Sequence, residues 1–525
     1  MTSLTLVDTD PAELAVDAVV IGVYANEGGD AKLPLAPGAE SVAAAFSDRP
    51  GGGLAETLRV LGATGALGEV TKLAAFGAVA APLVVAVGLG APVDGDAGRV
   101  PAAESLRRAA GAAARSLAGS ASVAIVLPLS GSPADPGKPG DGELTVGVRA
   151  IAEGALLGSY RFLGYKTKPS ATRRDPVRKV LVHVPDAGAK AAKAALKRSG
   201  VLGGVVARTR DWINAAPNEL RPPQFAEQAA AAAAEASLEV SVLDEKALAK
   251  QGYGGILAVG LGSAAAPRLV RIAYEPAGAT RRIALVGKGI TFDTGGVSIK
   301  PTAGMWEMKS DMSGAAAVVA TMLAVAQLKP KVAVVAYAPM AENMVSGSAY
   351  RPGDVVRMYN GAQVEVLNTD AEGRMILGDA IARACEDEPD YLFEVSTLTG
   401  GQVIALGKRI AGVMGTPELC DRVRDAGERA GEPAWPMPLP EDVRKGMDSD
   451  VADISQVNSS MDRAGHMLQG GVFLSEFVTE GVQWAHIDIA GPSYHTGEPF
   501  GYWSKGGTGV PVRTLVELIE EIASE

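Results

Sequence analysis

The first part of the chain alternates short apolar runs with alanine-rich stretches. The runs are rich in β-branched residues and lie at 15–24, 82–90, 122–130 and 179–186. Their length and composition predict buried strands. The stretches AESLRRAAGAAARSLAG and VGVRAIAEGALLGSYRF predict helices between these strands. Strands that alternate with helices indicate an α/β domain with a parallel sheet.

Two segments interrupt this alternation. Residues 131–143, GSPADPGKPGDGE, are dense in turn-forming residues and predict a surface loop. Residues 188–217 have helical character and run into the proline-rich stop APNELRPP. We therefore predict a first domain at 1–187, a connecting helix at 188–217 and a second domain at 218–525.

The second domain repeats the strand and helix pattern. Its predicted strands lie at 238–244, 281–287, 331–338, 363–368, 391–398 and 484–491. Helices are predicted between them, among others at 311–328 and 374–385. The sequence thus predicts two α/β domains joined by a helix.

Composition and charge narrow the class of protein. The chain has 525 residues, of which 47% are hydrophobic and 5% aromatic, so its cores are expected to be aliphatic. A net charge of −11 argues against broad binding of nucleic acids or anionic membranes. Two cysteines exclude a cysteine-rich metal site. No apolar run is long enough for a membrane span, so we expect a soluble cytoplasmic protein.

Charged and small polar residues cluster after the predicted strands of the second domain. In open α/β sheets, ligand sites gather at the carboxyl ends of strands. The clusters contain Lys288, Asp293, Lys300, Asp311, Asp370, Glu372, Arg374 and the segment TLTGG at 397–401. Their positions predict one site assembled from several loops.

Each cluster taken alone has a structural explanation. Asp311 and Asp370 also fit helix N-caps, and single lysines are more often found on the surface. Together, however, four acids and two lysines would leave uncompensated charge in an apolar setting, and buried carboxylates need partners or a metal. Oxygen-rich clusters suit hard or borderline cations, so the combination predicts a metal site.

Other catalytic motifs do not fit. The segment VGKGIT lacks the first glycine of a P-loop, and the GLG segments lack the third glycine of a dinucleotide fingerprint. The sequence contains neither HExxH nor GxSxG, and its four histidines lack close ligand spacing. Nucleotide binding and serine-hydrolase chemistry are therefore disfavoured.

Four segments resemble the active-site motifs of the leucyl aminopeptidases, the cytosolic dimetal family that includes bacterial aminopeptidase A. They are GKGITFDTGGVSIKP, MKSDMSGAA, NTDAEGR and STLTGG, in the family's order. The resemblance covers the chain from about residue 214 onward, while the N-terminal part is only generically similar. It implies a macro-like N-terminal domain and a C-terminal catalytic domain with a mixed sheet, joined by a long helix.

The resemblance also implies roles for single residues. The ligands of a loosely held metal would be Lys288, Asp293, Asp311 and Glu372. Those of a tighter one would be Asp293, Asp370 and Glu372, together with the Asp370 carbonyl. Lys300 would polarise the scissile carbonyl, and Arg374 would hold a bicarbonate as the general base. Met308, Thr397 and Gly400 would line the pocket for the first side chain, and Leu398 would lie beside the substrate backbone.

The function implied is a metalloaminopeptidase that removes an apolar N-terminal residue, preferably Leu or Met, from peptides with a free α-amine. Two Mn or Zn ions per subunit and a homohexamer are expected on the same grounds. Two cations can activate water and polarise a peptide carbonyl, so the residues support this chemistry. A metal-dependent phosphoesterase and a peptidase with an added DNA-binding role are the alternatives.

Overall fold

The computed structural model describes residues 2–25, 33–47, 52–95, 98–100, 102–129, 140–168 and 174–525. The chain divides into two compact units. The first comprises Met1–Ala207 with Gly497–Lys505, and the second comprises Arg208–Thr496 with Gly506–Glu525. The return of a C-terminal segment to the first unit has no signal in the local sequence.

The first unit contains eight described strands and four helices, and a fifth helix crosses from it into the second unit. The strands are β1 (Ser3–Val7), β2 (Ala18–Val23), β3 (Val70–Ala74), β4 (Leu83–Gly88), β5 (Val93–Gly95), β6 (Gly98–Val100), β7 (Ser122–Val126) and β8 (Lys179–His183). The helices are α1 (Glu40–Ala44), α2 (Gly53–Val60), α3 (Ala103–Ser116), α4 (Asp141–Ser159) and the crossing α5 (Lys190–Asn214).

Six of these strands form the sheet of the first unit, in the order β1-β8-β7-β2-β4-β3. The neighbouring pairs β1–β8, β8–β7, β7–β2 and β2–β4 are parallel, as the alternating pattern predicts. The edge strand β3 is antiparallel to β4, which the sequence did not predict. Most of the predicted loop at 131–143 lies outside the described residues, and its last residues begin α4.

The second unit contains fourteen described strands and ten described α-helices. The strands are β9 (Glu239–Leu243), β10 (Arg268–Tyr274), β11 (Arg282–Gly287), β12 (Gly289–Asp293), β13 (Ala333–Asn343), β14 (Val355–Arg357), β15 (Gln363–Glu365), β16 (Tyr391–Ser396), β17 (Ala411–Gly415), β18 (Ala434–Pro436), β19 (Ile454–Ser455), β20 (Gln483–Asp488), β21 (Tyr494–His495) and β22 (Gly506–Gly507).

The helices of the second unit lie between and around these strands. They are α6 (Pro222–Glu235), α7 (Glu245–Gln251), α8 (Gly254–Gly260), α9 (Ser313–Leu328), α10 (Gly373–Cys385), α11 (Gly400–Leu406), α12 (Pro417–Ala430), α13 (Glu441–Lys445), α14 (His466–Ser475) and α15 (Val512–Ile522). A short 3-10 helix, Met305–Ser310, precedes α9.

The main sheet of the second unit is mixed, in the order β18-β17-β20-β16-β11-β13-β10-β9, with β12 paired to β13. Its central strands β20, β16, β11 and β13 are parallel, so their carboxyl ends lie at one edge. The outer strands β9, β10 and β17 are antiparallel to their inner neighbours. Buried residues of β11, β13, α8 and α10, most of them aliphatic, form a core cluster of the second unit.

The run at 363–368 is not a strand of this sheet. Only Gln363–Glu365 is extended, as β15, and it pairs with β14 and β19 in a separate small sheet. The loop that carries Asp370 and Glu372 therefore reaches the main sheet from outside it, which corrects the expectation that it follows a main-sheet strand.

Among the residues that the structure describes, one helical stretch, Met305–Leu328, is long and apolar enough to cross a membrane by length and composition alone. The residues from Ser313 to Val325 are all buried inside the second unit. This stretch is therefore explained as a core helix under the central sheet.

Candidate metal centre

The parallel strands of the main sheet bring four polar residues to one edge. Lys288 directly follows β11, Thr397 follows β16, and Asn343 and Asp488 are the last residues of β13 and β20. The strand β12 begins directly after Lys288, pairs with the end of β13 and ends at Asp293. The polar edge predicted from the sequence is therefore present.

Three carboxylates come together at this edge. Asp293, Asp370 and Glu372 each place a carboxylate oxygen within 4.8 Å of the others. Asp293 and Glu372 are buried, with 2% and 1% of their surface exposed. Glu372 Oε2 accepts no hydrogen bond within the described part of the chain, although it is buried. An unpartnered buried carboxylate oxygen is the arrangement expected of a metal ligand.

Lys288 connects this group to a fourth carboxylate. Its Nζ lies 2.8 Å from Asp311 Oδ1 and 2.9 Å from Glu372 Oε1, and it donates to Thr397 O at 3.0 Å. Burial alone would lower the pKa of Lys288, but the carboxylates of Asp311 and Glu372 outweigh it and raise the pKa. Lys288 therefore neutralises much of the charge beside Asp311.

Lys300 lies on the other side of the group. Its Nζ is 2.7 Å from Asp293 Oδ2 and also forms an ion pair with Asp370 Oδ1. The Lys300 side chain is 21% exposed, whereas that of Lys288 is 3% exposed, so Lys300 is the more accessible from solvent. Both lysines belong to the site, and the surface-lysine explanation is wrong for them.

The environment also shifts the pKa of two acids. Burial raises the pKa of Asp311 well above its usual range, and the neighbouring Lys288 only partly opposes this. Burial and the negative charge of Asp293 raise the pKa of Asp370 to about 6. Crowded carboxylates of this kind bind protons or cations readily because their mutual repulsion is relieved.

Asp311 and Asp370 are not helix caps. Helix α9 begins at Ser313 after Met312, and α10 begins at Gly373 after Glu372, and neither N-terminus has a side-chain cap. Thr397 Oγ1 instead donates to Asp311 Oδ1 at 2.7 Å. The capping explanation is therefore wrong for both acids.

Arg374 lies in the first turn of α10 and is fully buried. Its Nη1 donates to the backbone oxygen of Gln456 at 2.5 Å, and its guanidinium lies 5.9 Å from the ring centre of Phe473. Burial lowers the pKa of Arg374 to about 10. Its Nε has no hydrogen-bond partner in the described ranges, so one donor direction is available to an anion.

The predicted pocket residues lie in three places. Thr397 is joined to Asp311, and Leu398 follows it with its N–H bound to Asp488 Oδ1 at 3.1 Å. Met308 lies in the 3-10 helix and accepts a hydrogen bond from Asp311 N at 3.2 Å through its carbonyl. Gly400 begins α11, and a Cβ built on it would have no neighbour within 4 Å among the described residues. Thr397 is thus part of the carboxylate network, while Gly400 borders open space.

Three supporting residues were missed from the sequence. Asn343 donates to Asp293 Oδ1 at 2.8 Å and to Thr369 O at 3.0 Å. Asp488 binds Leu398 N, and the buried side chain of Gln456 binds the loop before Asp370. Asn343 ends the apolar run VVAYAPMAEN, which continues five residues past the predicted strand end. This continuation of the apolar run points to Asn343, and the sequence holds no comparable signal for Asp488 or Gln456.

Carboxylates and lysines gathered at the carboxyl edge of a mixed α/β sheet are the arrangement expected of a metal-dependent hydrolase. Family models for the cytosol aminopeptidase family match this chain twice, the catalytic domain at residues 207–516 and the N-terminal domain at 20–169. The chain belongs to the cytosol aminopeptidase family and is a metalloaminopeptidase. The N-terminal match extends the resemblance beyond the motifs of the second domain.

Curated relatives and solved structures agree with this assignment. A probable cytosol aminopeptidase of Streptomyces avermitilis is 50% identical over 100% of this chain and 99% of its own length. One of Mycobacterium leprae is 49% identical over 89% of this chain and 86% of its own. The bottromycin maturation enzyme BotP in complex with Mn has a TM-score of 0.80 at 34% identity, covering 97% of this chain and 100% of that one. A tomato leucine aminopeptidase mutant has a TM-score of 0.85 at 28% identity, covering 99% of this chain and 97% of that one.

Proposed function

We propose that this enzyme holds two divalent cations in the carboxylate group and removes apolar N-terminal residues, preferably Leu or Met, from peptides with a free α-amine. The observation that carries the proposal is the convergence of Asp293, Asp370 and Glu372 within 4.8 Å beside two lysines. Four carboxylates, including Asp311, oppose two ammonium groups, so the site retains negative charge that cations would neutralise.

The donor set fits hard or borderline cations. Lys288, Asp293, Asp311 and Glu372 would hold the looser cation, and Asp293, Asp370 with its carbonyl, and Glu372 the tighter one. The unpartnered Glu372 Oε2 supports this assignment. When bound, two such cations supply Lewis-acid polarisation of a carbonyl and a water of lowered pKa. The Mn-bound structure of BotP, to which this chain is similar, supports manganese as the cation, with zinc as the alternative.

The two lysines take different roles in this proposal. Lys288 is enclosed by Asp311, Glu372 and the Thr397 carbonyl, and nearby dications would favour its neutral, ligating form. Lys300 is more accessible and remains cationic, so its ammonium donates to the oxygen that becomes negative during attack.

Arg374 would hold a bicarbonate that accepts a proton from the attacking water. The Nε–H of its buried guanidinium has no hydrogen-bond partner among the described residues, which supports an anion contact there. A small anion bound by a buried arginine can act as a base without a protein carboxylate at that position.

The loop 397–400 would bind the substrate. Thr397 and Gly400, with Met308, would line the pocket for the first side chain, and Leu398 would contact the substrate backbone. The open space beside Gly400 supports a pocket there, because a larger residue would fill it.

A comparison of paired peptides tests the reaction class. A leucyl peptide with a free amine should be hydrolysed and its N-acetylated counterpart should be inert, because the free amine is part of the recognition. Chelation should abolish activity, and Mn or Zn should restore it. Equal cleavage of both peptides, or full turnover after complete chelation, would refute the proposal.

The wider biological setting is also proposed. We keep residues 1–187, 188–217 and 218–525 as functional divisions, although the compact units assign 188–207 and 497–505 to the first. Cytoplasmic location is supported by the names of the relatives. A homohexamer is proposed from the resemblance alone, and light scattering should give about six times 53.6 kDa. An active monomer would contradict it.

A further inference from the structure

The loop between β15 and α10 carries Asp370 and Glu372 and leads into Arg374 in the first turn of α10, yet it does not follow a strand of the main sheet. It leaves β15, which pairs with the two-residue strand β19. Gln456 directly follows β19 and is fully buried. This residue therefore runs beside the loop at the point where the loop turns toward the carboxylate group.

The side chain of Gln456 binds both ends of the turn. Its Oε1 accepts hydrogen bonds from Leu367 N at 3.0 Å and Asn368 N at 2.9 Å. Its Nε2 donates to Ala371 O at 3.2 Å. Asp370 lies between these anchor points, and Glu372 follows the last of them. The amide thus fixes the backbone on both sides of Asp370 through its acceptor and its donor.

The backbone of Gln456 binds the same segment again. Its N–H donates to Glu365 O at 3.0 Å, and its carbonyl accepts from Arg374 Nη1 at 2.5 Å. One buried residue therefore makes five hydrogen bonds to the ten residues from 365 to 374. Backbone groups buried without such partners would be costly, so the turn depends on this residue for its conformation.

We infer that Gln456 is a positioning residue that sets the metal affinity of the site by holding the loop of Asp370 and Glu372 in its ligating conformation. The inference rests on the proposed dimetal function. Residues that orient metal ligands, although they do not touch the metal, affect affinity strongly when they are removed. Gln456 would act only through the loop, since its own amide is consumed by backbone contacts.

Manganese retention by the full-length Mn-loaded protein tests this inference. Gln456→Met keeps the volume but removes all three side-chain hydrogen bonds. It should lose Mn to EDTA at a chelator concentration about 10- to 100-fold lower than the unmodified protein does. The Mn retained per chain is counted by mass spectrometry. Gln456→Glu keeps the acceptor for Leu367 N and Asn368 N, so its retention should be intermediate.

Gln402→Met is the matched control. Gln402 is also fully buried, and its amide also makes three backbone hydrogen bonds, to Gly407, Ile410 and Gly491. None of these partners lies in the metal-binding loop. This variant should lose thermal stability but retain Mn up to the same EDTA concentration as the unmodified protein. The comparison therefore separates a loss of packing from a loss of loop positioning.

The outcomes are distinct. Early Mn loss confined to the Gln456 variants supports the inference. If Gln456→Met retains Mn as well as the unmodified protein does, or if Gln402→Met loses Mn as early as Gln456→Met, the inference is overturned. If Gln456→Met does not fold, Gln456→Glu is the deciding variant. The inference is then overturned if Gln456→Glu retains Mn as well as the unmodified protein does. If the unmodified protein holds no stoichiometric Mn, the proposed function itself fails.

Discussion

Lys288 and Lys300 carry the same ammonium group in different surroundings. Lys288 is enclosed by Asp311, Glu372 and a carbonyl, while Lys300 is the more exposed and contacts Asp293. Lys288→Ala should weaken one metal, so excess Zn or Mn should restore part of the activity. Lys300→Ala should keep both metals yet lose roughly 10²–10³ in kcat, the scale for one oxyanion donor. Metal counting with steady-state kinetics distinguishes them. Loss of metal from Lys300→Ala alone would invert the assignment.

Gly373 is constrained by Lys288. A Cβ on Gly373 would lie 2.5 Å from Lys288 Cε and 2.7 Å from its Nζ. Because Lys288 is buried, its ammonium would have to move away from Glu372 and Asp311. Gly373→Ala should therefore reduce Mn affinity and activity together, measured by Mn titration of the chelated protein. Gly204→Ala is the control, since Gly204 is also helical and a Cβ there would meet no atom of the described residues within 4 Å. Unchanged Mn affinity in Gly373→Ala would show that the lysine adapts.

The site residues that could be predicted from the sequence differ physically from those that could not. Asp293, Asp370 and Glu372 could be predicted because charge next to apolar runs needs a partner, and motif resemblance then supplied the roles. Asn343 and Gln456 act through hydrogen bonds to segments 26 and 82 or more residues away. A single uncharged amide at the end of an apolar run carries no comparable signal.

At the scale of elements, the central strands were predicted because each is a continuous apolar run buried on both faces. The strand β13 extends to Asn343, past the predicted end at 338, because the run PMAEN still pairs with β10 and β12. The run at 363–368 looks like a strand of the same kind, but its second half is a loop. Periodicity reports burial, and Val364 and Val366 are buried in the core without joining the main sheet.

The ends of β16 and β20 are joined through Asp488. Its Oδ1 accepts from Leu398 N and Ala490 N, both at 3.1 Å, and its Oδ2 accepts from Thr399 Oγ1 at 2.7 Å. Asp488→Ala should leave buried donors unpaired, at about 1–3 kcal/mol each. Because the loop 397–400 is proposed to bind substrate, KM should rise as well.

Asp488→Asn keeps an oxygen for the two N–H groups and should therefore recover most of both losses. Chemical denaturation and steady-state kinetics measure the two effects. If Asp488→Asn were as damaging as Asp488→Ala, the charge and not the hydrogen bonds would hold the loop. If neither changed KM, the loop would not depend on Asp488 for substrate binding.

At the scale of the whole molecule, metal binding and folding are coupled through the carboxylate group. The four acids come from β12, the turn before α9 and the loop before α10, so they lie together only in the folded second unit. Mn should therefore bind the folded state in preference to the unfolded one. Binding of this kind stabilises by about 2.7 kcal/mol per site at a concentration 100 times Kd. Saturating Mn should accordingly raise the thermal unfolding midpoint relative to EDTA.

The size of this stabilisation should depend on pH, with a sign that follows from the raised pKa values. The pKa of Asp370 is raised from 3.8 to about 6, so between these values the folded protein holds more protons than the unfolded chain. In EDTA, stability should therefore fall as pH rises through this window. Mn competes with those protons, so its stabilising effect should be larger at about pH 8 than at about pH 5. Scanning calorimetry with Mn and with EDTA at both pH values measures the difference. Equal midpoints with Mn and EDTA, or a larger Mn effect at the lower pH, would show that these carboxylates do not bind the cation.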